Sequence, residues 1–161
     1  MFSRLLVTLT LLAGLISGSS PVRAAELSLH FRLSEDPETL YNVKTISLTV
    51  NTLLTSYILE SLVYFDANGE PKPWLAESWT VSPDQKQITF KLRSGVVFTD
   101  GTPFDADAVK FHFDSIMDKA NASPLLSRLG SLQSVEVVDP QTIRFSFAKP
   151  YAPFFRYIAG T

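Results

Sequence analysis

Two β-hairpins separated by one amphipathic helix constrain the fold of this 161-residue chain more than any other feature of its sequence. In each hairpin, apolar and polar residues alternate around a polar turn, which lies at 83–86 in the first and at 139–141 in the second. A period of two directs one face of a strand towards a core and the other towards solvent. The apolar positions are Trp79, Val81, Ile88, Phe90 and Leu92 in the first hairpin and Val135, Val137, Ile143, Phe145 and Phe147 in the second. The chain therefore combines antiparallel sheet with helix.

Two helices are predicted beside these hairpins. Asp105 is suited to cap a helix that ends near Lys119, with a dipole that favours acidic residues at its start. The apolar stripe of this helix consists of Ala106, Val109, Phe113, Ile116 and Met117. Residues 48–62 predict an earlier helix with so little polar surface that we expect it to be covered. Short strands are predicted at 27–31 and 62–65, so the fold class is α/β.

The first 24 residues have the organisation of an export signal. Arg4 supplies a positive charge, Leu5 to Ile16 is an uncharged run of 12 residues, and the breakers at 17–21 end it. A membrane-spanning helix needs about 20 apolar residues, so an uncleaved anchor is the weaker alternative. Val22 and Ala24 suit a signal peptidase, and cleavage after Ala24 leaves 137 residues. We therefore expect a signal peptide at 1–24 and a soluble product at 25–161 that lies outside the cytoplasmic membrane.

Composition excludes several classes of function. The chain has 14 basic and 16 acidic residues, a net charge of -2, and its Lys and Arg residues are scattered, so nothing predicts binding to nucleic acid. It has no Cys, which excludes a thiol nucleophile, a Cys-ligated metal site and a lipid anchor on cysteine. The sequence also lacks a Gly-rich phosphate loop, a His-Glu-x-x-His motif and a Gly-x-Ser-x-Gly elbow. We therefore predict no catalytic residue, no metal site and no cofactor.

A few residues could still carry chemistry, and each has a structural alternative. His30 and His112 are far apart in sequence and are best interpreted as surface or hydrogen-bonded residues rather than as metal ligands. Asp105 and Asp107 could form an acid/base pair, but helix capping accounts for both. The segment from Tyr41 to Thr52 is more informative, because it gathers hydroxyl and amide groups where a loop enters a helix. It is either a capping loop or a ligand-binding segment, since a helix start exposes N–H groups to acceptors.

A series of short motifs in the middle of the chain resembles one family. The motifs are PWLAESW at 73–79, SPD at 82–84 and FKLRSGVVFTDGTPFDADAV at 90–109. In this order and almost without gaps, they are similar to the pattern of the extracytoplasmic solute-binding proteins of ABC importers for peptides and nickel, of the family 5 type. The resemblance extends from about Leu40 to Phe155.

The resemblance implies a periplasmic-binding-protein-like fold of type II, in which two lobes close over a solute by hinge motion. In this interpretation the chain is the amino-terminal part of lobe one with its extra α+β subdomain, truncated at the carboxyl end. The family's contacts with solute from this region imply ligand-binding roles for Ser47, Asn51 and Thr52. The implied partners are a peptide or small-molecule ligand and an ABC permease in the membrane, and the expected oligomeric state is a monomer.

The function predicted from the resemblance is capture of peptides or similar small solutes for import, without chemistry on the ligand. A nickel or metal-chelate binder of the same family is the first alternative. It is disfavoured because nickel-binding relatives have basic and aromatic contact residues where this chain has KANASP at 119–124. The second alternative is a secreted hydrolase with catalytic residues beyond Thr161, and the third is a complete structural or interaction protein.

Overall fold

The computed structural model describes residues 39–45 and 47–159, which belong to one unit of the chain, Leu33–Thr161. The export signal predicted at 1–24 and the strand predicted at 27–31 lie outside the described residues. The described elements, in chain order, are α1 (Leu48–Leu53), β1 (Val63–Phe65), β2 (Pro71–Pro73), β3 (Ala76–Val81), β4 (Gln87–Leu92), α2 (Ala106–Met117), β5 (Leu132–Asp139), β6 (Thr142–Phe147) and α3 (Phe154–Ile158). A π-helical turn at Leu54–Ile58 follows α1, and 3₁₀ turns at Lys119–Asn121 and Leu126–Leu129 connect α2 to β5.

The two predicted hairpins are confirmed, and they join in one antiparallel sheet with the strand order β3-β4-β6-β5. The central pair is β4 and β6, in register with Ile88 opposite Phe145 and Phe90 opposite Ile143. These four side chains are almost completely buried, because the apolar face of both central strands lies beneath helices. The alternation in the sequence thus corresponds to one covered and one solvated face.

The core over this sheet is an aromatic cluster. The ring centroid of Phe113, from α2, lies 4.8 Å from that of Phe145, and Phe154, from α3, lies 5.1 Å from Phe145. Phe90 meets Phe145 edge to face at 5.7 Å. Edge-to-face and tilted contacts of this kind add roughly 0.5–1.5 kcal/mol per pair to the stabilisation from burial alone.

Helix α2 begins and packs as the sequence predicts. The Asp105 carboxylate accepts a hydrogen bond from the N–H of Ala108 at 3.0 Å, which caps the helix. The stripe is buried at Ala106, Val109, Phe113 and Ile116, and Met117 is half-buried. The helix ends at Met117, so Lys119 lies in the 3₁₀ turn that follows and not in the last helical turn.

The helix predicted at 48–62 is shorter than expected. Its α-helical part ends at Leu53, and the π-helical turn ends at Ile58, where the N–H of Leu59 bonds to the carbonyl of Leu54 at 2.7 Å. Leu59 is extended and starts the approach to β1. The expectation of a covered helix is also wrong for the described chain, since Tyr57 and Ile58 are 70% and 61% exposed. In this segment the apolar pattern therefore indicates neither which residues are covered nor where the hydrogen bonding changes from α to π.

A small second sheet follows this segment. The strand predicted at 62–65 is confirmed as β1, which pairs with β2 so that Val63 lies opposite Pro73. The turn between them is held by Asp66, whose carboxylate accepts the N–H groups of Asn68 and Glu70 at 2.9 Å and 3.0 Å. Strand β2 was not predicted, because its Pro-Lys-Pro sequence lacks alternation and proline is tolerated only where no ladder donor is needed.

Candidate solute-binding site

The loop that precedes α1 is anchored in the body of the chain. The N–H of Tyr41 donates to the Thr39 hydroxyl at 3.1 Å, and the N–H of Lys44 donates to the Tyr41 carbonyl at 3.0 Å. Val43 is fully buried and belongs to the main hydrophobic core, and Asn42 is also buried. The described part of this polar loop, 39–45, is therefore an ordered turn that Val43 anchors in the core.

Ser47 has the capping role that the sequence left open. Its hydroxyl oxygen accepts a hydrogen bond from the N–H of Val50 at 3.2 Å, and its carbonyl accepts the N–H of Asn51 at 2.9 Å. An N-cap of this kind contributes about 1 kcal/mol to a helix. The backbone donor that the cap satisfies is the N–H of Val50, so Ser47 organises the helix start.

Asn51 and Thr52 lie on α1 in different environments. Thr52 is exposed, whereas Asn51 is half-buried and its side-chain oxygen is fully shielded. No donor among the described residues reaches that oxygen. A buried acceptor without a donor costs roughly 1–3 kcal/mol, so the carboxamide of Asn51 has a hydrogen-bonding capacity that the described chain leaves unused.

A cleft of about 690 Å³ opens beside the same segment. Its walls come from Asn42, from the exposed residues of the π-helical turn, from the strand-like stretch 96–99 and from one face of α2. The lining is mainly apolar, and none of Ser47, Asn51 and Thr52 belongs to it. The structure thus brings Asn42 to the cleft and leaves the three predicted residues outside it. The signal that could have identified Asn42 is its place in the polar run 41–52.

His112 is a titratable group in the wall of this cleft, which also includes Tyr57 and Glu60. Its Nε2 atom is buried and has no hydrogen-bond partner among the described residues. Burial lowers the pKa of the imidazole, because the charged form loses its hydration. His112 is therefore held neutral near pH 7, with one ring nitrogen available for a hydrogen bond. The interpretation of His112 as a hydrogen-bonded residue is wrong for this nitrogen.

Metal ligands are not grouped in the described part of the chain. Within residues 39–45 and 47–159, no cluster of three or more His, Asp or Glu side chains is arranged to hold a metal ion.

The motifs that resemble the family are structural in this fold. In the SPD motif, the Ser82 hydroxyl bonds to the Asp84 carboxylate at 2.6 Å, and the Thr102 hydroxyl bonds to Asp100 at the same distance. These hydroxyl groups, followed by backbone N–H groups, lower the pKa values of Asp84 and Asp100. The side chain of Arg93 donates to the carbonyl of Trp74, which ties two of the motifs together. The motifs therefore shape turns, and parts of those at 73–79 and 90–109 also line the cleft.

Comparison with known proteins identifies the family. The family model described as "Bacterial extracellular solute-binding proteins, family 5 Middle" matches residues 70–161. The nickel-binding periplasmic protein of Escherichia coli K12 is 35% identical over 104 residues, which are 65% of this chain and 20% of that protein. The glutathione-binding protein GsiB of the same strain is 33% identical over 111 residues, which are 69% of this chain and 22% of that protein.

Solved structures share the fold. OppA of Haemophilus influenzae in complex with RPPGFSPFR has a TM-score of 0.66 and 27% identity, covering 72% of this chain and 26% of OppA. The predicted fold class is confirmed, because such neighbours are two-lobed periplasmic binding proteins and the described residues are mixed α and β.

The chain belongs to the bacterial extracellular solute-binding proteins of family 5. It spans about a fifth of the length of the curated relatives described above. Among the described residues, the helices are all too short or too polar to cross a membrane.

Proposed function

We propose that this chain is part of a periplasmic solute-binding protein that captures a peptide or a similar small polar solute and delivers it to an ABC permease. The observation that carries the proposal is its membership of family 5, together with similarity to a glutathione-binding protein and to OppA with a bound peptide. Glutathione is itself a tripeptide, so two relatives point to ligands with amide groups.

The chemistry of the predicted residues is compatible with such a ligand. A peptide presents N–H donors and carbonyl acceptors, and the exposed hydroxyl of Thr52 can pair with either. The carboxamide oxygen of Asn51 has no donor among the described residues. If the side chain rotates towards the solute, an N–H group of a peptide can donate to this oxygen. Ser47 contributes indirectly, since its hydroxyl caps the helix that carries both residues. Closure of a second lobe would exclude water and strengthen these bonds.

The remaining features of the proposal concern the whole protein. The signal at 1–24 directs export, cleavage after Ala24 releases a soluble protein, and the absence of Cys means that no acylated cysteine anchors it. The protein acts as a monomer, uses no cofactor, performs no reaction on its solute and does not bind nucleic acid. A hydrolase with catalytic residues beyond Thr161 is not supported, because the family consists of solute-binding proteins.

A nickel or metal-chelate ligand is the second candidate. The observation that favours it is the 35% identity to a nickel-binding protein, a value close to the 33% identity to the glutathione-binding protein. Similarity over this part of the chain therefore does not separate the two ligand classes. His112 is the described imidazole that could contact a chelate in the cleft.

Isothermal titration calorimetry of the full-length protein, with residues 1–24 removed, tests the proposal. The solutes are trialanine, glutathione and the nickel–histidine complex. We expect heat of binding with trialanine or glutathione, and a weaker affinity in the variants Asn51→Ala and Thr52→Ala. Each variant should lose about five- to tenfold, the value of one hydrogen bond of about 1–1.5 kcal/mol.

The matched control is Thr80→Ala, which removes the same hydroxyl from an exposed position on β3. It should leave the affinity unchanged. Binding of the nickel complex alone would select the second candidate, and an unchanged affinity in both site variants would remove Asn51 and Thr52 from the site. Absence of binding to all three solutes would refute the proposed ligand classes.

A further inference from the structure

A buried serine connects the loop before α1 to a distant part of the chain. The hydroxyl of Ser123 donates a hydrogen bond to the carbonyl of Val43 at 2.5 Å, across 80 positions of sequence. The same oxygen accepts the N–H of Leu125 at 3.3 Å. Ser123 is only 7% exposed, so water does not compete effectively for these bonds. A buried side-chain bond to a backbone carbonyl fixes that carbonyl more firmly than an exposed one does.

Val43 is the described residue of the loop 39–45 that belongs to the main hydrophobic core. Among the described residues, Val50 and Leu54 of the following helical segment are buried but do not belong to the main hydrophobic cluster, whereas Val43 does. The side chain of Val43 and its carbonyl are therefore two points at which the loop 39–45 is held to the core, and Asn42 and Thr45 of the same loop are also buried. Ser47 caps α1 only four residues later.

The other end of the connection is itself fixed. Ser123 lies between the two 3₁₀ turns that follow α2, and the Asn121 carboxamide in this stretch donates to the carbonyl of Ser115 at 2.9 Å. Ser115 belongs to α2, whose apolar stripe is buried against the sheet. Hydrogen bonds thus connect α2 to the following loop and Ser123 to Val43, which lies four residues before Ser47, the N-cap of α1.

We propose that Ser123 is a positioning residue for the solute-binding segment. Its hydroxyl fixes the position of the Val43 carbonyl by a hydrogen bond. The fixed carbonyl in turn restricts the orientation of α1, which carries Asn51 and Thr52. This inference rests on the proposed function. Ser123 does not have to contact the solute, because it acts by ordering the segment that does.

Hydrogen exchange measured by mass spectrometry on the full-length protein tests the positioning role without any solute. In Ser123→Ala, the amides of Lys44, Val50 and Asn51 should exchange about tenfold faster, because each is protected by a bond within the segment 41–51. The factor of ten corresponds to about 1.4 kcal/mol. The amides of β4 and β6 should keep their wild-type rates, which shows that the variant is folded.

The matched control is Ser131→Ala. The Ser131 hydroxyl also donates to a backbone carbonyl, that of Lys149 at 2.8 Å, but it lies far from the loop in sequence and on the surface. This control should not change exchange in 39–54. Ser123→Thr retains the hydroxyl and should restore protection, whereas Ser123→Cys retains the size with a weak donor and should restore it only in part.

Titration with trialanine and glutathione then connects the segment to binding. Ser123→Ala should weaken binding about tenfold and Ser131→Ala should not. If wild-type protein binds neither solute, the proposed function fails for these ligands while the exchange data still decide the positioning role. The inference is overturned if Ser123→Ala leaves exchange in 39–54 at the wild-type rate, or if it accelerates exchange equally in β4 and β6.

Discussion

Replacement of Gly130 by alanine should destabilise this fold more than the same replacement at Gly69, Gly95 or Gly101, the other described glycines with positive φ. Gly130 has φ 61° and ψ -115°, a combination that side chains with a Cβ atom rarely adopt. A Cβ atom there would also overlap the ring of Tyr151, with a separation of 2.6 Å from Cε1. The ring cannot move without loss, because its hydroxyl donates to the Arg128 carbonyl at 3.2 Å and its face stacks against Tyr157.

The expected cost follows from these contacts. Backbone strain of this kind costs roughly 1–3 kcal/mol. Displacement of Tyr151 forfeits one hydrogen bond and part of its ring contacts, each worth about 1 kcal/mol. We therefore expect Gly130→Ala to lower the free energy of unfolding by about 3–5 kcal/mol, measured by urea denaturation.

Two comparisons separate the strain from the clash. Gly69 also has positive φ, at 77°, but no atom lies within 4 Å of its would-be Cβ, so Gly69→Ala should cost only about 1–2 kcal/mol. In a Tyr151→Ala background, Gly130→Ala should cost about 2 kcal/mol less than in the wild type. A cost of Gly130→Ala that is the same in both backgrounds, or below about 1 kcal/mol, would refute the argument.

Two further substitutions test the capping and the titration of α2. Asp105→Ala should lower the free energy of unfolding by about 1 kcal/mol in urea denaturation, since the N–H of Ala108 loses its acceptor; an unchanged midpoint would contradict the cap. For His112, burial lowers the pKa in the folded state, so below pH about 6.5 the unfolded chain takes up the proton first and stability falls as the pH drops. Urea denaturation between pH 7.5 and 5 should show a steeper decline for the wild type than for His112→Gln, and parallel curves would show that burial does not shift this group.

Much of the sheet and of α2 is predictable from the sequence because local chemistry decides both. Alternation around short polar turns defines the hairpins, and Asp105 combines a capping side chain with an apolar stripe directly after it. The pairing of β4 with β6, by contrast, joins residues more than fifty positions apart. Only packing of the aromatic cluster specifies that pairing, and no local pattern reports it.

The candidate site was harder to predict, for physical reasons. Ser47 is suited by type to either a cap or a ligand contact, and only the bond to Val50 shows that it caps. The burial of the Asn51 oxygen depends on side-chain geometry rather than on position along the helix. The connection from Ser123 to Val43 is invisible in sequence, because a single serine in a loop carries no periodic signal.

Native mass spectrometry of the gently purified full-length protein tests the central claim most directly, namely that the protein captures peptides or similar small polar solutes. The account predicts additional mass on the folded protein that is released on unfolding and identified as a set of peptides or a single amide-bearing solute. A protein that carries only a metal chelate would contradict the peptide assignment. A protein that stays at its bare mass, even after incubation with trialanine and glutathione, would contradict solute capture of the proposed kind.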